Sequence, residues 1–242
     1  MPTTLHLLLT ALLLPLLIPQ ALWVWWRTPR LPEAGGPTAG RVAGRGEPLS
    51  LLLLGESTAA GVGAATQLQA LSGQTATALV RLTGRPVAWR TMGRNGATAR
   101  TVYYRQLPPL AGRTAEVVVI ALGVNDTTRL HSRARWLTDL GQVIEGLRQQ
   151  LGPVPVVLTG IPPLGRFPAL PQPLRYLVGR RAEVLDQAAA QLADSLSEVV
   201  HLPVQVRDEQ DFAADGYHPG PQGYAAWGQQ VAEAIGRFFP TE

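Results

Sequence analysis

The feature that most constrains this chain is an alternation that starts at Pro48 and runs almost to its end. Short apolar runs (Leu51–Leu54, Val87–Met92, Glu116–Leu122, Val154–Thr159 and Val199–Leu202) are each followed by a turn and then by a segment with helical spacing. Leu51–Leu54 is continuously apolar up to Gly55, as a strand covered on both faces must be. The spacing predicts a helix with Leu68, Leu71, Ala78, Leu79 and Leu82 on one side, and a short helix over Thr98–Leu107. Trp136, Leu137, Leu140, Val143, Ile144, Leu147 and Leu151 recur at 3.6-residue intervals. A long helix from Leu174 to Leu196 carries Leu177, Val178, Leu185 and Leu192, and a last helix carries Tyr224, Trp227, Val231, Ile235 and Phe238. Strands alternating with helices predict an α/β fold: a parallel sheet with helices on both faces. Ligands in such folds sit beyond the carboxyl ends of the strands, so the chemistry belongs in the residues just after each strand.

Composition narrows the chemistry. Of 242 residues, 46% are hydrophobic and 16% charged, enough apolar surface for a core and against wholesale disorder. Cys is absent, which removes disulfides, thiol nucleophiles and Cys-bearing metal sites. Lys is absent too, so no phosphate-loop lysine or Schiff base is available. The net charge of +4 comes from scattered arginines, with no run longer than Arg180–Arg181. A nucleic-acid partner is not expected, because it would call for a basic stripe.

Ahead of the alternating region lies Leu5–Trp26, free of Asp, Glu and Arg and closing on Trp23, Trp25 and Trp26. As a helix it would reach about 33 Å, enough for a bilayer core, with a Trp belt and then Arg27 and Arg30 at one end. Residues 1–30 are therefore expected to be a membrane anchor, or alternatively a cleaved signal that leaves a secreted or periplasmic domain. The side of the membrane stays open. Residues 31–47, rich in Gly and Pro, read as a linker, and residues 48–242 as the functional domain.

Four blocks sit where the chemistry belongs. They are Gly55-Glu56-Ser57, Gly93-Arg94-Asn95-Gly96-Ala97-Thr98, Gly123-Val124-Asn125-Asp126 and Asp215-Gly216-Tyr217-His218-Pro219. Together they supply an acyl-transfer apparatus. A serine hydroxyl needs a base, and His218 is a suitable one. Asp215, three residues earlier, can hold the imidazole in one tautomer. The oxyanion needs fixed donors, for which the candidates are the N–H groups of Ser57 and Gly96 and the side-chain amide of Asn125. Ser57 at the mouth of a helix would also gain from the helix dipole.

These blocks, in this order, resemble the SGNH hydrolases of the GDSL esterase/lipase group. The resemblance covers about Pro48 to Phe239 and implies a three-layer α/β/α sandwich with a flavodoxin-like sheet, preceded here by the N-terminal hydrophobic helix. It implies Ser57 as nucleophile, Gly96 and Asn125 in the oxyanion hole, and Asp215 and His218 completing the triad. It also implies ester or thioester hydrolysis without metal or organic cofactor. One residue departs from the pattern: the usual Asp before the serine is Glu56.

Other motifs fail. Gly55–Gly63 lacks a phosphate-loop lysine, Thr66 stands where a dinucleotide fold needs its third glycine, and Ala59 breaks the Gly-x-Ser-x-Gly elbow. His6 is read as part of the anchor, and His131 and His201 as surface or packing residues. No His pair has the spacing of a zinc site. The Pro-rich loop Ile161–Pro173 starts at the same sheet edge and offers Phe167 and Leu170 as acyl-binding wall, or else is a stiff connector. The expectation is a membrane-anchored serine esterase acting on small or lipid esters: short acyl esters, lysophospholipids or O-acetylated sugars. An acyltransferase using the same acyl-enzyme, or an inactive relative that binds acylated ligands, are the alternatives.

Overall fold

The computed structural model describes residues 2–239, with side chains from residue 15 onward. In chain order the elements are α1 (Pro2–Arg27), β1 (Ala39–Val42), β2 (Leu49–Gly55), α2 (Leu71–Thr83), β3 (Val87–Gly93), α3 (Ala99–Arg105), β4 (Val117–Ala121), α4 (Val124–Thr128), α5 (Arg133–Leu151), β5 (Val156–Thr159), α6 (Leu174–Asp194), β6 (Val199–Leu202) and α7 (Pro221–Gly236). The six strands lie in the order β1-β3-β2-β4-β5-β6. All neighbours are parallel except β1, which pairs antiparallel with β3 (Ala39 opposite Arg90, Val42 opposite Val87). The five parallel strands thus follow the flavodoxin-like order, whose switch point falls between β2 and β4.

Side-chain alternation along the strands builds two apolar layers. Leu52 and Leu54 of β2, with Val118 and Ile120 of β4, face Val102, Trp136, Leu140, Ile144 and Leu185 from α3, α5 and α6. Leu51, Leu53, Val117 and Val119 point the other way, toward Leu71 and Leu79 of α2 and Tyr224, Trp227 and Val231 of α7. A period of two in a strand whose every residue is apolar supplies both layers at once.

Two expectations need correction. Leu68 precedes α2 and is exposed, as is Leu82, because the helix starts only at Leu71 and rolls its Leu71–Ala78–Leu79 stripe inward. Residues 31–47 are not merely a tether. They contain β1, and Ala34 and Gly35 donate to the carbonyls of Ala60 and Ala65 at 3.1 Å. Ala-Gly-Arg-Val carries no apolar alternation, so this edge strand is held by backbone bonds that composition does not reveal. The expected anchor overlaps α1, but the side chains of residues 1–14, including His6, lie outside the described residues. Among the described residues no helix is long and apolar enough to cross a membrane. The described part of α1 buries Leu17, packs Val24 on the core and bonds through Gln20 to the backbone of Gln172 and Leu174.

Candidate active site

Ser57 lies two residues beyond β2, beside the switch point, and is nearly buried. The chain after it forms tight turns rather than an α-helix, with Ala60 N–H reaching Glu56 O at 3.0 Å and Val62 N–H reaching Ser57 O at 3.0 Å. The expected helix dipole at Ser57 is therefore absent: Gly61 and Gly63, with φ of +77° and +96°, bend the chain before a helix can propagate. Gly63 has a second use. A Cβ there would meet the Pro219 carbonyl at 2.3 Å, so its bareness lets the serine turn press against the loop that carries His218. The Tyr224 hydroxyl of α7 pins the same turn by donating to Val62 O at 2.7 Å.

His218 is held by its own loop. Its Nδ1 lies 2.6 Å from Asp215 Oδ2, while Asp215 Oδ1 accepts the N–H groups of Tyr217 and His218, each at 2.9 Å. Burial pushes the Asp215 carboxyl up, but these three hydrogen bonds outweigh it and hold the group below its ordinary value. An ionised Asp215 accepts only, so Nδ1 carries the hydrogen and Nε2 is left with its lone pair. Phe167 and Tyr217 stack edge to face at 5.2 Å, and Tyr217 meets the imidazole at 5.3 Å, which walls the ring into place.

The three expected oxyanion donors come from three strand ends. The backbone N–H groups of Ser57 and Gly96 have no partner among the described residues, as donors reserved for an incoming oxygen must not. Asn125 sits in the first turn of α4, after β4, and there Glu56 intervenes. Its carboxyl accepts Val124 N–H at 2.9 Å and Asn125 N–H at 3.0 Å, and one Nδ2 hydrogen of Asn125 also points to it. The other Nδ2 hydrogen has no partner among the described residues. The longer side chain in place of Asp is thus fully used, as a fork joining the serine turn to the asparagine turn. Burial drives the Glu56 carboxyl up, the donors from Asn125 and Val124 restrain it, and the balance stands at about 7.

Ser57 and His218 open onto one cavity of about 50 Å³, walled by Leu122, Val124, Pro162, Phe167, Val206 and Phe212 among others. Phe167 therefore lines the same cavity as Ser57 and His218. Leu170 is not among the residues lining it and is buried with Phe167 in the same apolar layer. His131, expected at the surface or in packing, is buried and lies with Nδ1 2.8 Å from Asp126 Oδ1. Its partner lies five residues away across the end of α4, a spacing no simple motif encodes. Asp139 stands close by, and the three offer ligand atoms within 4.8 Å of one another. Both Asp126 oxygens are already engaged, the second by Ala99 N–H at 3.1 Å, so the cluster ties α3 to α4.

Residues 53–226 match the GDSL-like lipase/acylhydrolase family. The chain is 31% identical over 183 residues to a GDSL-like esterase of Mycobacterium tuberculosis, covering 72% of this chain and 58% of that protein's length. Among solved structures it resembles a lipase from a goat rumen metagenome (TM-score 0.63, 17% identity, 77% of this chain and 97% of the other). It also resembles a carbohydrate acetylesterase from Sinorhizobium meliloti (TM-score 0.59, 17% identity, 79% and 100%). A third likeness is the aryl esterase of M. smegmatis (TM-score 0.61, 17% identity, 77% and 98%).

Proposed function

Since the chain belongs to the GDSL-like lipase/acylhydrolase family and is an ester-bond hydrolase, we propose that it cleaves short-chain carboxylic esters through an acyl-enzyme on Ser57. The observation that carries this is the Asp215–His218 pair, 2.6 Å apart, sharing one cavity with Ser57. His218 Nε2 takes the Ser57 proton as Oγ attacks the acyl carbon. The carbonyl oxygen gains charge opposite the N–H groups of Ser57 and Gly96 and the free Asn125 amide hydrogen. His218 then passes the proton to the leaving alcohol. Water, deprotonated by the same imidazole, attacks the acyl carbon and frees Ser57 and the acid.

The size of the cavity supports a short acyl group. Its enclosed space is about 50 Å³. Its apolar wall suits an alkyl tail, and a likeness to an acetylesterase of sugars points the same way. The test is kcat/KM on p-nitrophenyl acetate, butyrate and octanoate, with mass spectrometry of the fluorophosphonate-treated enzyme. Acetate and butyrate are expected to exceed octanoate about tenfold or more, with one adduct on Ser57. A preference for octanoate overturns the short-chain reading, and no turnover with no adduct overturns the esterase reading.

The outer face of α1 supports association with a membrane surface. Leu16, Ile18, Leu22, Trp23, Trp25 and Trp26 are exposed there, and Arg30 stacks on Trp25 at 5.1 Å. Trp and Arg together favour a bilayer interface. In a flotation assay the full chain rises with anionic vesicles and a chain starting at residue 31 stays behind. Equal partition of the two removes this part of the proposal.

A further inference from the structure

The turn that presents Gly96 is gripped from outside by two charged side chains that belong to neither the triad nor the cavity. Glu33 Oε1 accepts Asn95 N–H at 2.9 Å. Arg129 Nη2 donates to Gly96 O at 2.9 Å. Between these two handles lies one peptide N–H, that of Gly96, with no partner among the described residues. The turn itself is thinly held. Its internal bond runs from Ala97 N–H to Arg94 O at 3.1 Å, Arg94 N–H reaches Gly55 O at 3.3 Å, and Gly96 sits at φ +76° with no side chain to pack. A left-handed glycine in a short turn can flip its peptide readily.

We infer that Glu33 and Arg129 are positioning residues that clamp the Gly96 turn, so that its N–H points at the oxyanion. The two handles come from different places. Arg129 is the residue after α4, the helix whose first turn carries Asn125, so its bond fixes Gly96 relative to the second oxyanion donor. Glu33 lies in the segment stitched to the far side of the serine turn through Ala34 and Gly35, so its bond fixes the same turn relative to Ser57. All three oxyanion donors are thereby referenced to one another. Both handles are exposed, so neither is part of the core, and replacing them leaves the folding energetics almost untouched. The charges matter chiefly for directing a hydrogen bond, since a bond to an ionised group is shorter and stiffer than a neutral one.

The inference rests on Gly96 N–H being an oxyanion donor, and its test separates the two ideas. In the intact chain of residues 1–242, Arg129→Ala and Glu33→Ala are each expected to lower kcat on p-nitrophenyl acetate roughly tenfold or more, with KM and the melting temperature unchanged. Misplacing a catalytic group by about 1 Å costs up to ~100-fold. Arg129→Lys and Glu33→Gln keep a donor and an acceptor and should recover much of the rate. Independently of any turnover, the ¹⁵N order parameter of the Gly96 amide should fall from about 0.85 in the parent to below about 0.6 in Arg129→Ala. A Gly96 amide that stays rigid, or a rate that falls in step with the melting temperature and is not recovered by Lys or Gln, overturns the clamp. A parent enzyme that turns over no ester while Gly96 loosens overturns the esterase reading and leaves the clamp standing.

Discussion

Ser57→Ala is expected to lower kcat on p-nitrophenyl acetate by about four to six orders of magnitude and to leave the fold intact. The side chain loses one oxygen, at a position where the surrounding backbone is fixed by Glu56 O, Val62 N–H and the Tyr224 hydroxyl rather than by the serine side chain. The stability cost should stay within about 1 kcal/mol. The chemical cost is far larger, because His218, Asp215 and the oxyanion donors act as a unit on a nucleophile that is no longer there. What remains is the modest rate that the oxyanion donors give to direct attack by water. Burst and steady-state release of p-nitrophenol from parent and variant would measure this, with circular dichroism as the check on folding. Retention of more than a hundredth of the parent rate would move the nucleophile elsewhere.

Glu56 is expected to make the stability of the protein fall as the solution becomes less acidic. Its folded pKa of about 7 lies above the ordinary 4.5. Between those values the folded state keeps a proton that the unfolded chain has released, so the unfolded state gains with rising pH. Below the lower value both states are protonated and there is no loss; above the upper value both are ionised and the loss is complete. Two and a half units at 1.36 kcal/mol each amount to about 3 kcal/mol. Urea unfolding from pH 4 to 8 should show this slope in the parent and not in Glu56→Gln, whose side chain cannot ionise. The difference between the two curves isolates Glu56 from every other titrating group. Parallel curves would mean that the three donors from Val124 and Asn125 keep the carboxylate ionised throughout.

Much of this was legible in the residues, for definite reasons. Short continuous runs such as Leu51–Leu54 and Val117–Ile120, closed by turn glycines, read as strands buried on both faces, and from them follow the order of elements and the edge where chemistry collects. Chemistry-bearing residues at turns after those strands, Ser57, Gly96 and Asn125, followed from the same edge. What stayed hidden depended on backbone or on distant pairing. The strand Ala39–Val42 is held by main-chain bonds, so its Gly and Arg look like linker. The absence of a helix after Ser57 turns on the backbone of Gly61 and Gly63, and Leu170 on which way a Pro-rich loop curls. Glu33 and Arg129 meet the Gly96 turn from 62 and 33 residues away, and no local spacing announces such contacts.

The placing of His218 just before α7 has a consequence for how the molecule comes into being. The proposed nucleophile Ser57, the Gly96 turn and Asn125 all precede it in the chain, and each is attached to a strand that leaves the ribosome earlier. The proposed general base, His218, comes with the helix whose Tyr224 and Trp227 close the α2-side layer and whose Tyr224 hydroxyl pins the serine turn. A nascent chain therefore carries a serine without a proton acceptor. In the proposed mechanism, closing the α2-side layer and supplying the proton acceptor are therefore one event, and a chain folded only as far as α6 would hold Ser57 without its base.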